Sequence, residues 1–344
     1  MSESLAFGLI GAGGIAQSYL QVFSGFEDAH IAAVADVRLE AAASAAEALG
    51  CEAFGSWEEL ADRVRLDAVL ICTPPSTHGE IAMHFLERRV AVLCEKPFAL
   101  DLPTAHALAD ASEGYRTLLT MASKFRYVQD VVRAKSILAS GILGDIILFE
   151  NVFASRAAMA DRWNSNPALS GGGVLIDNGT HSVDIVRYFL GPVVEVLAVE
   201  GRRVQTLAVE DTVQLFVRAA SGARGTIDLS WSLDKERDSF IEIYGSNGTV
   251  RVGWKQSKFR QATSRDWVVF GSGYDKIAAM RAQVENFCRA LRHHEPLLIT
   301  AEDAIASVAV IEKAYRSLDS SRWVRVSDGE AIRPPNAAVE RAAV

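Results

Sequence analysis

The feature that most constrains the fold of this 344-residue chain is a glycine pattern near its amino terminus. The apolar run at residues 5–10 is followed by Gly11-Ala12-Gly13-Gly14-Ile15-Ala16 and then by a helix-like segment up to residue 22. This is the GxGxxA form of the strand–turn–helix fingerprint for a dinucleotide. Gly11 permits the tight turn, Gly13 lets the backbone approach a pyrophosphate, and Ala16 lets the helix pack closely on the strand. The pattern therefore predicts a doubly wound parallel sheet that holds a dinucleotide.

An acidic residue follows the second predicted strand. The run at residues 31–35 ends in Asp36, close to the distance from the glycines at which an acid receives the ribose hydroxyls of the adenosine. A carboxylate there favours NAD, because it would repel the 2′-phosphate of NADP. Arg38 lies two residues further on and softens this preference, so NADP stays open. Asp36 could also simply cap the alanine-rich helix predicted at residues 39–49.

Two further predicted strands end in polar residues. The run at residues 67–72 leads into Thr73-Pro74-Pro75-Ser76-Thr77-His78, where two prolines prevent a helix from starting and hold a rigid loop over the cofactor. His78 either touches the cofactor or the substrate, or lies in a first helical turn without a chemical role. The run at residues 90–93 leads into Cys94-Glu95-Lys96-Pro97. Because ligands of open α/β sheets bind at the carboxyl ends of strands, Lys96 is predicted to point into the cofactor crevice; the alternative is a solvated turn lysine.

A third group of polar residues lies in the second half of the chain. Gly171-Gly172-Gly173 precedes a segment with helical apolar spacing, in which Asp177 and His181 are one turn apart on one face. Asp184 is three residues further on, near the same face. A carboxylate beside an imidazole can orient it and raise its basicity. The alternative is a helix that carries an ordinary surface His–Asp pair.

The remainder of the chain predicts a second domain. A helix at residues 128–140 is followed by six strand-like runs between residues 146 and 254, with turn signals at Ser221-Gly222 and Asn247-Gly248. These runs predict an α+β domain with an open, mostly antiparallel sheet, followed by helices at about residues 277–293 and 301–318. We expect residues 1–123 to form the first domain, residues 124–344 to form the second, and the tail from Arg333 to fray.

Composition excludes several classes of protein. Hydrophobic residues make up 49% and charged residues 23% of the chain, and the formal net charge is −8 with no basic cluster. This balance argues against nucleic acid or an anionic membrane as the main partner. No apolar run is long enough for a membrane span, and the amino terminus lacks the basic region of a signal peptide. The four cysteines are scattered without a metal-binding spacing, which predicts a reducing, cytoplasmic location.

Three motifs in this order give the chain a specific resemblance. They are GLIGAGGIA at residues 8–16, CEKPF at residues 94–98 and GGGxxxDxGxHxxD at residues 171–184. Together they resemble the glucose–fructose oxidoreductase, inositol dehydrogenase and rhizopine-catabolism (Gfo/Idh/MocA) family of NAD(P)-dependent oxidoreductases, over nearly the whole chain. The resemblance implies a Rossmann domain joined to an α+β domain, a sugar, cyclitol or related polyol substrate, and a homodimer or homotetramer. The chain departs from the family at Asn178 and Thr180, where relatives more often carry aliphatic residues.

The resemblance also implies roles for single residues. Lys96, Asp177 and His181 match the catalytic positions, and Arg126, Trp163, Asn178, Asp177 and His181 are expected near the substrate. The expected cofactor-binding residues are Gly11, Gly13, Gly14, Ile15, Asp36, Arg38, Thr73, Pro74, His78, Glu95 and Lys96. No metal-ligand cluster is visible, and the expected chemistry requires no metal.

Hydride transfer between a carbinol carbon and nicotinamide needs a group that removes the hydroxyl proton, and a neutral imidazole can do so near pH 7. We therefore expect His181 to act as general base, or as acid in the reducing direction. Asp177 is expected to orient it or to stabilise its charged form, and Lys96 to stabilise negative charge on the oxygen. Two alternatives remain at this stage: a glycoside hydrolase that works through transient oxidation by bound NAD, and an inactive dinucleotide-binding regulator.

Overall fold

The computed structural model describes residues 4–326, and its first half is built on a six-stranded parallel sheet. The strands are β1 (Leu5–Ile10), β2 (Ala29–Ala35), β3 (Glu52–Phe54), β4 (Ala68–Ile71), β5 (Ala91–Glu95) and β6 (Leu119–Ala122). Their order is β3-β2-β1-β4-β5-β6, and the connecting helices are α1 (Gly14–Phe23), α2 (Leu39–Leu49), α3 (Trp57–Arg63), α4 (His78–Glu87) and α5 (Leu102–Tyr115). This confirms the doubly wound sheet; the short strand β3 had no clear sequence signal.

The central strands are apolar on both faces because helices cover both sides of the sheet. Along β4, Leu70 packs into one core cluster while Val69 and Ile71 pack into the other, and all three side chains are fully buried. The chain adds strands outwards from β1 to β3 on one side of the sheet and then from β4 to β6 on the other, so the strand order reverses between β1 and β4. The crevice at the carboxyl ends of these two strands is where such sheets bind ligands.

The second half is built on a nine-stranded sheet. Its strands are β7 (Ile146–Ala154), β8 (Val193–Glu200), β9 (Thr212–Ala219), β10 (Arg224–Ser230), β11 (Ser239–Gly245), β12 (Gly248–Gly253), β13 (Ser257–Gln261), β14 (Val268–Gly271) and β15 (Val324–Arg325). The order is β14-β13-β12-β11-β7-β10-β9-β8-β15, and only the β7–β10 pairing is parallel. The helices of this half are α6 (Gln129–Ala139), α7 (Pro167–Ser170), α8 (Val174–Leu190), α9 (Lys276–Leu291) and α10 (Ala301–Ser320). The mostly antiparallel sheet and both hairpins are confirmed, whereas β13, β14 and β15 were not predicted.

The two faces of the second sheet differ sharply. Val213, Leu215 and Ile227 are buried beneath α8, as their alternation predicts, and α10 packs on the neighbouring strand β8. The opposite face carries polar pairs such as Gln214–Asp228 (2.7 Å), together with exposed apolar side chains such as Leu148. One face is thus a core and the other is open within this chain.

Helix α9 connects the two halves. It follows β14 of the second sheet in the chain, yet its residues Met280, Val284 and Phe287 are buried in the core of the first sheet. The ring of Phe287 lies edge-on to Phe7 of β1, with 5.8 Å between the centroids. Within residues 4–326, none of the helices has the length and apolarity required to cross a bilayer. The predicted fraying tail lies outside the described residues.

Candidate active site

The glycine turn after β1 is shaped for close approach of another group. Gly11 has a φ of 92°, and a Cβ at this position would lie 2.8 Å from the backbone of Cys72, so only glycine fits. A Cβ at Gly13 or Gly14 would meet nothing within 4 Å. No side chain caps the first turn of α1, which leaves its N–H groups for a phosphate. The turn therefore fits a dinucleotide pyrophosphate.

Asp36 ends β2 beside this turn. Its Oδ2 accepts a hydrogen bond from the Ala12 N–H (2.8 Å), and its Oδ1 accepts one from the Arg38 N–H (2.8 Å). The carboxylate is thereby fixed next to the glycine turn, where a ribose would lie. The Arg38 side chain is largely exposed and approaches Asp36 Oδ1 at 3.4 Å. A basic group is therefore close to the acid that is expected to favour NAD.

His78 lies in the first turn of α4 and does not line the cleft described below, so its expected contact with the cofactor or substrate stays a prediction. The imidazole is fully buried at the start of α4. Its Nδ1 lies 2.8 Å from the Pro97 carbonyl oxygen and its Nε2 lies 3.0 Å from the Thr73 carbonyl oxygen. Burial lowers its pKa. The side chain ties the loop after β4 to the residue that follows Lys96, so its role is to position Lys96.

We expect His78→Ala to lower the unfolding free energy by about 1–3 kcal/mol, because the carbonyl group that accepts the imidazole N–H loses its donor inside the protein. Thermal unfolding followed by circular dichroism measures the loss. His106→Ala is the matched control, since His106 is exposed on α5. An equal effect of both substitutions would contradict the positioning role.

Lys96 leaves the carboxyl end of β5 in a half-buried position. The preceding residue, Glu95, is buried and accepts a hydrogen bond from the Tyr19 hydroxyl of α1 (2.8 Å). Gln283 of α9 donates to the same hydroxyl (3.0 Å). This chain of hydrogen bonds fixes the tip of β5 against both α1 and α9.

Helix α8 is positioned by a buried acid at its amino end. Oε1 of Glu210 accepts hydrogen bonds from the N–H groups of Gly173 (2.9 Å) and Leu175 (3.0 Å), which satisfies helix-start donors. A Cβ at Gly173 would lie 2.0 Å from the Glu210 carbonyl oxygen. The glycine run is therefore required for close backbone approach, as predicted. The contact sets the position of Asp177 and His181 along α8.

Asp177 forms an ion pair with Lys96 across the two halves of the chain. The Lys96 Nζ also donates to the Asp177 carbonyl oxygen at 3.1 Å. Asp177 has no hydrogen bond to His181 among the described contacts, although the two residues are one turn apart. The predicted orientation of His181 by Asp177 therefore does not occur in this state; the carboxylate holds Lys96 instead.

His181 is almost fully buried and is surrounded by cations. Its Nε2 lies 3.3 Å from the Nζ of Lys124, and the ring of Phe125 packs edge-on against the imidazole (5.0 Å between centroids). Its Nδ1 is buried without a hydrogen-bond partner among the described residues. Burial, followed by the charges of Lys124 and Lys96, holds the pKa of His181 well below its ordinary value. The imidazole is therefore neutral near pH 7.

These groups open into one cleft with a volume of about 650 Å³. Ile15 and Thr73 of the cofactor crevice line it, as do Lys96, Asp177 and His181. The other side is formed by aromatic residues and by the loop between β10 and β11, namely Phe125, Phe153, Trp254, Tyr274 and residues 234–237. The cleft therefore joins the expected nicotinamide position to a chamber for a small molecule.

Of the expected substrate residues, Trp163 and Asn178 line the cleft, and Trp163 is exposed there. Arg126 does not line it, and its expected role near the substrate stays a prediction. Its guanidinium is buried and pairs with Asp184 (2.6 Å) and Asp303 (3.1 Å). Arg126 and Asp184 thus belong to a structural ion-pair network that joins the β6 exit to α8 and α10.

Lys124 is a polar residue of the cleft that the sequence analysis missed, as are Asn164, Lys276 and residues 234–237. It follows Ser123 directly after β6, so it lies at the carboxyl end of a parallel strand, as Lys96 does. A lysine at the end of a predicted parallel strand could therefore have indicated a second cation in the cleft. The aromatic residues Trp254, just after β12, and Tyr274, between β14 and α9, were also missed. They reach the cleft only because the folding of the second sheet brings them there, which no local pattern indicates.

Comparison with known proteins agrees with this arrangement. Residues 5–123 match the model of an oxidoreductase family with an NAD-binding Rossmann fold, and residues 131–251 match the GFO/IDH/MocA C-terminal domain. The chain belongs to the GFO/IDH/MocA family of oxidoreductases. This confirms the resemblance predicted from the three motifs, together with the NAD-binding character of the first half.

Two curated relatives of this family match over most of the chain. The inositol 2-dehydrogenase of Rhizobium meliloti strain 1021 is 26% identical over 94% of this chain and 100% of its own length. The D-apiose dehydrogenase of Paraburkholderia graminis is 26% identical over 95% of this chain and 91% of its own length. A solved structure of levoglucosan dehydrogenase with NADH and levoglucosan has a TM-score of 0.88 at 21% identity, covering 94% of this chain and 100% of that one. This last likeness concerns the fold alone.

Proposed function

We propose that this protein is an NAD(P)-dependent dehydrogenase that transfers hydride between nicotinamide and the carbinol or ketone carbon of a sugar, a cyclitol or a related polyol. The observation that supports this most is the shared cleft: Ile15 and Thr73 of the cofactor crevice line the same chamber as Lys96 and His181. A cofactor held by the glycine turn would place its reactive end beside an ammonium group and a neutral imidazole. The relatives that act on inositol and apiose point to a substrate with several hydroxyl groups.

The bound nicotinamide supplies hydride acceptance or donation, and the side chains supply the proton chemistry. His181 is neutral, so its Nε2 can take the proton of a substrate hydroxyl, or return it in the reducing direction. Lys96 stabilises negative charge that develops on the same oxygen. Asp177 holds the Lys96 ammonium in place through the ion pair. The exposed ring of Trp163 and the amide of Asn178 are available to the rest of the substrate.

The proposal is tested by assaying a panel of inositols, hexoses, pentoses, sugar acids and sugar phosphates for reduction of NAD and NADP by absorbance at the nicotinamide band. We expect a polyol or sugar to be oxidised with stoichiometric formation of reduced cofactor. Cleavage of a glycoside without net cofactor turnover would instead support the hydrolytic alternative. Binding of cofactor without turnover of any panel member would contradict the dehydrogenase.

Asp36 predicts the choice of cofactor. We expect a higher kcat/KM with NAD than with NADP, because the fixed carboxylate repels a 2′-phosphate while Arg38 only partly offsets this. Asp36→Ser should shift the ratio towards NADP, and Arg38→Ala should shift it towards NAD. Measured kcat/KM values for both cofactors decide the question. A wild-type preference for NADP would contradict this interpretation of Asp36.

The open face of the second sheet supports assembly into a homodimer or homotetramer. It combines exposed apolar side chains, including Leu148, with cation–aromatic contacts such as Arg218 over Trp323 (4.2 Å). We expect light scattering at micromolar concentration to give at least twice the monomer mass of 37.2 kDa. Leu148→Glu should lower that mass, while Val132→Glu on the exposed side of α6 serves as control. A monomeric wild type would contradict the assembly.

The four free thiols agree with the reducing cytoplasm that we propose as the location of the protein.

A further inference from the structure

Among the described residues, no carboxylate is hydrogen-bonded to His181 to stabilise the proton that it would accept. In many acid–base sites a carboxylate beside the second ring nitrogen stabilises the imidazolium. Here Nδ1 of His181 is buried without a partner among residues 4–326, and Asp177 is paired with Lys96. The group within hydrogen-bond distance of Nε2 is Lys124 Nζ, at 3.3 Å. The imidazolium is therefore an unfavourable place for a proton to remain.

Lys124 is well placed to hold that proton instead. It is partly buried in the 3₁₀ turn Lys124–Tyr127, and its Nζ lies 5.0 Å from the centroid of the Phe125 ring. The charged groups that act on it are Glu95 and Lys96 at the β5 exit, Asp177 on α8 and Lys276 on α9. Burial is the largest cause that lowers the pKa of Lys124, to about 8. Near this pH its amine and ammonium forms interconvert readily.

We propose that Lys124 and His181 form an acid–base relay in which Lys124 is the final acceptor of the substrate proton. This rests on the proposed dehydrogenase function. In the oxidising direction the hydroxyl O–H bond breaks and its proton passes to Nε2 of His181, while the carbinol hydride goes to the oxidised nicotinamide and the carbonyl forms. The Nε2 proton then passes to the neutral amine of Lys124, giving an ammonium group and a neutral imidazole. In the reducing direction the Lys124 ammonium returns the proton.

The direction of the pH effect follows from this assignment. Oxidation requires the Lys124 amine, so kcat/KM should rise as the pH passes through about 8. Reduction requires the ammonium form, so its kcat/KM should fall over the same range. Lys124→Arg keeps a cation that does not deprotonate in this range. It should lower the oxidation rate at least tenfold, and the rise of kcat/KM near pH 8 (the pH limb) should be absent. Lys124→Met leaves His181 as the terminal base, so the pH limb of this variant should lie at least one pH unit below that of the wild type.

A second measurement does not depend on substrate or cofactor. The titration of His181 is followed by two-bond ¹H–¹⁵N NMR of the imidazole, assigned with His181→Asn. We expect the His181 midpoint in Lys124→Met to lie at least one pH unit above that of the wild type and of Lys124→Arg, because a nearby cation has been removed. Lys313→Met on α10, outside the cleft, is the control and should leave the midpoint and the rate profiles unchanged.

The outcomes separate the two proposals. Identical His181 midpoints and identical pH limbs in the wild type and Lys124→Met would overturn the relay. An unchanged limb with a shifted midpoint would also overturn it, since Lys124 would then act on His181 only through its charge. If no panel substrate is turned over but the NMR midpoint shifts as expected, the dehydrogenase function fails while the contact between Lys124 and His181 stands.

Discussion

Replacing His181 with alanine is expected to lower kcat by about 10²–10⁴-fold, the range typical of a general acid–base group. The imidazole is nearly buried in the cleft and is held neutral by burial and by two ammonium groups, so it is in the form that accepts a proton. Lys96→Met should cost about 10²–10³-fold, as expected for loss of a group that stabilises charge on the reacting oxygen. Steady-state and single-turnover kinetics on the substrate identified by the panel measure both losses.

Cofactor affinity is the internal control for these substitutions. The glycine turn and Asp36 are independent of His181, so the Kd for NAD measured by fluorescence or calorimetry should stay within a few-fold of wild type in His181→Ala. Asp177→Asn should give a smaller loss than Lys96→Met, because it weakens the hold on the ammonium without removing it. Near-normal kcat in both His181→Ala and Lys96→Met would refute the catalytic assignment.

The largest loss of stability is expected from Arg126→Met. The guanidinium is 5% exposed and pairs at 2.6 Å with Asp184, whose side chain is 0% exposed. Removing one partner of a buried pair leaves an uncompensated charge and typically costs about 3–5 kcal/mol. Burial already raises the pKa of Asp184, and loss of Arg126 would raise it further. Urea unfolding followed both by tryptophan fluorescence and by circular dichroism measures the cost, provided that the two transitions coincide.

Two comparisons make this test specific. Arg316→Met removes an exposed pair with Glu312 on α10 (2.7 Å) and should cost no more than about 0.5 kcal/mol. The double substitution of Arg126→Met with Asp184→Asn should recover part of the loss, because the orphaned charge is gone. If Arg126→Met alone lowered the unfolding free energy by less than twice the loss for Arg316→Met, the buried pair would not have the expected stabilising effect. Water would then compensate the charge of Asp184.

The local features of this chain could be predicted from its sequence. Gly11 and Gly173 were predicted correctly because each has a steric requirement that its neighbours cannot change: a close backbone approach at both, and a positive φ at Gly11. The strand tip at Lys96 was predicted because an apolar run followed by proline marks the end of a buried strand. In each case the physical cause lies within a few residues of the motif.

The contacts of single side chains could not be predicted in this way. The i, i+4 spacing placed Asp177 and His181 on one face of α8, but the partner of each is distant in sequence: Lys96 for Asp177 and Lys124 for His181. The resemblance placed Arg126 near the substrate, and its ion pairs could not be foreseen because the acidic partners, Asp184 and Asp303, are distant in sequence. A side chain with a free rotamer takes the nearest opposite charge in space, and spacing along the chain does not determine which residue that is.

The position of α9 has a consequence for the order in which the protein can be completed during synthesis. The amino-terminal sheet contains every strand it needs once residue 122 has been made, yet one part of its apolar core is filled by Met280, Val284 and Phe287. Until the ribosome has passed residue 291, that part of the core stays uncovered, and Phe7 of β1 has Phe23 of α1 but not Phe287 as an aromatic neighbour. Gln283, on the same helix, also completes the hydrogen-bond chain through Tyr19 to Glu95 beside Lys96. The nascent chain therefore completes this part of the first core and the hydrogen bonds at the Lys96 strand tip together, and only after β14 of the second sheet has been translated.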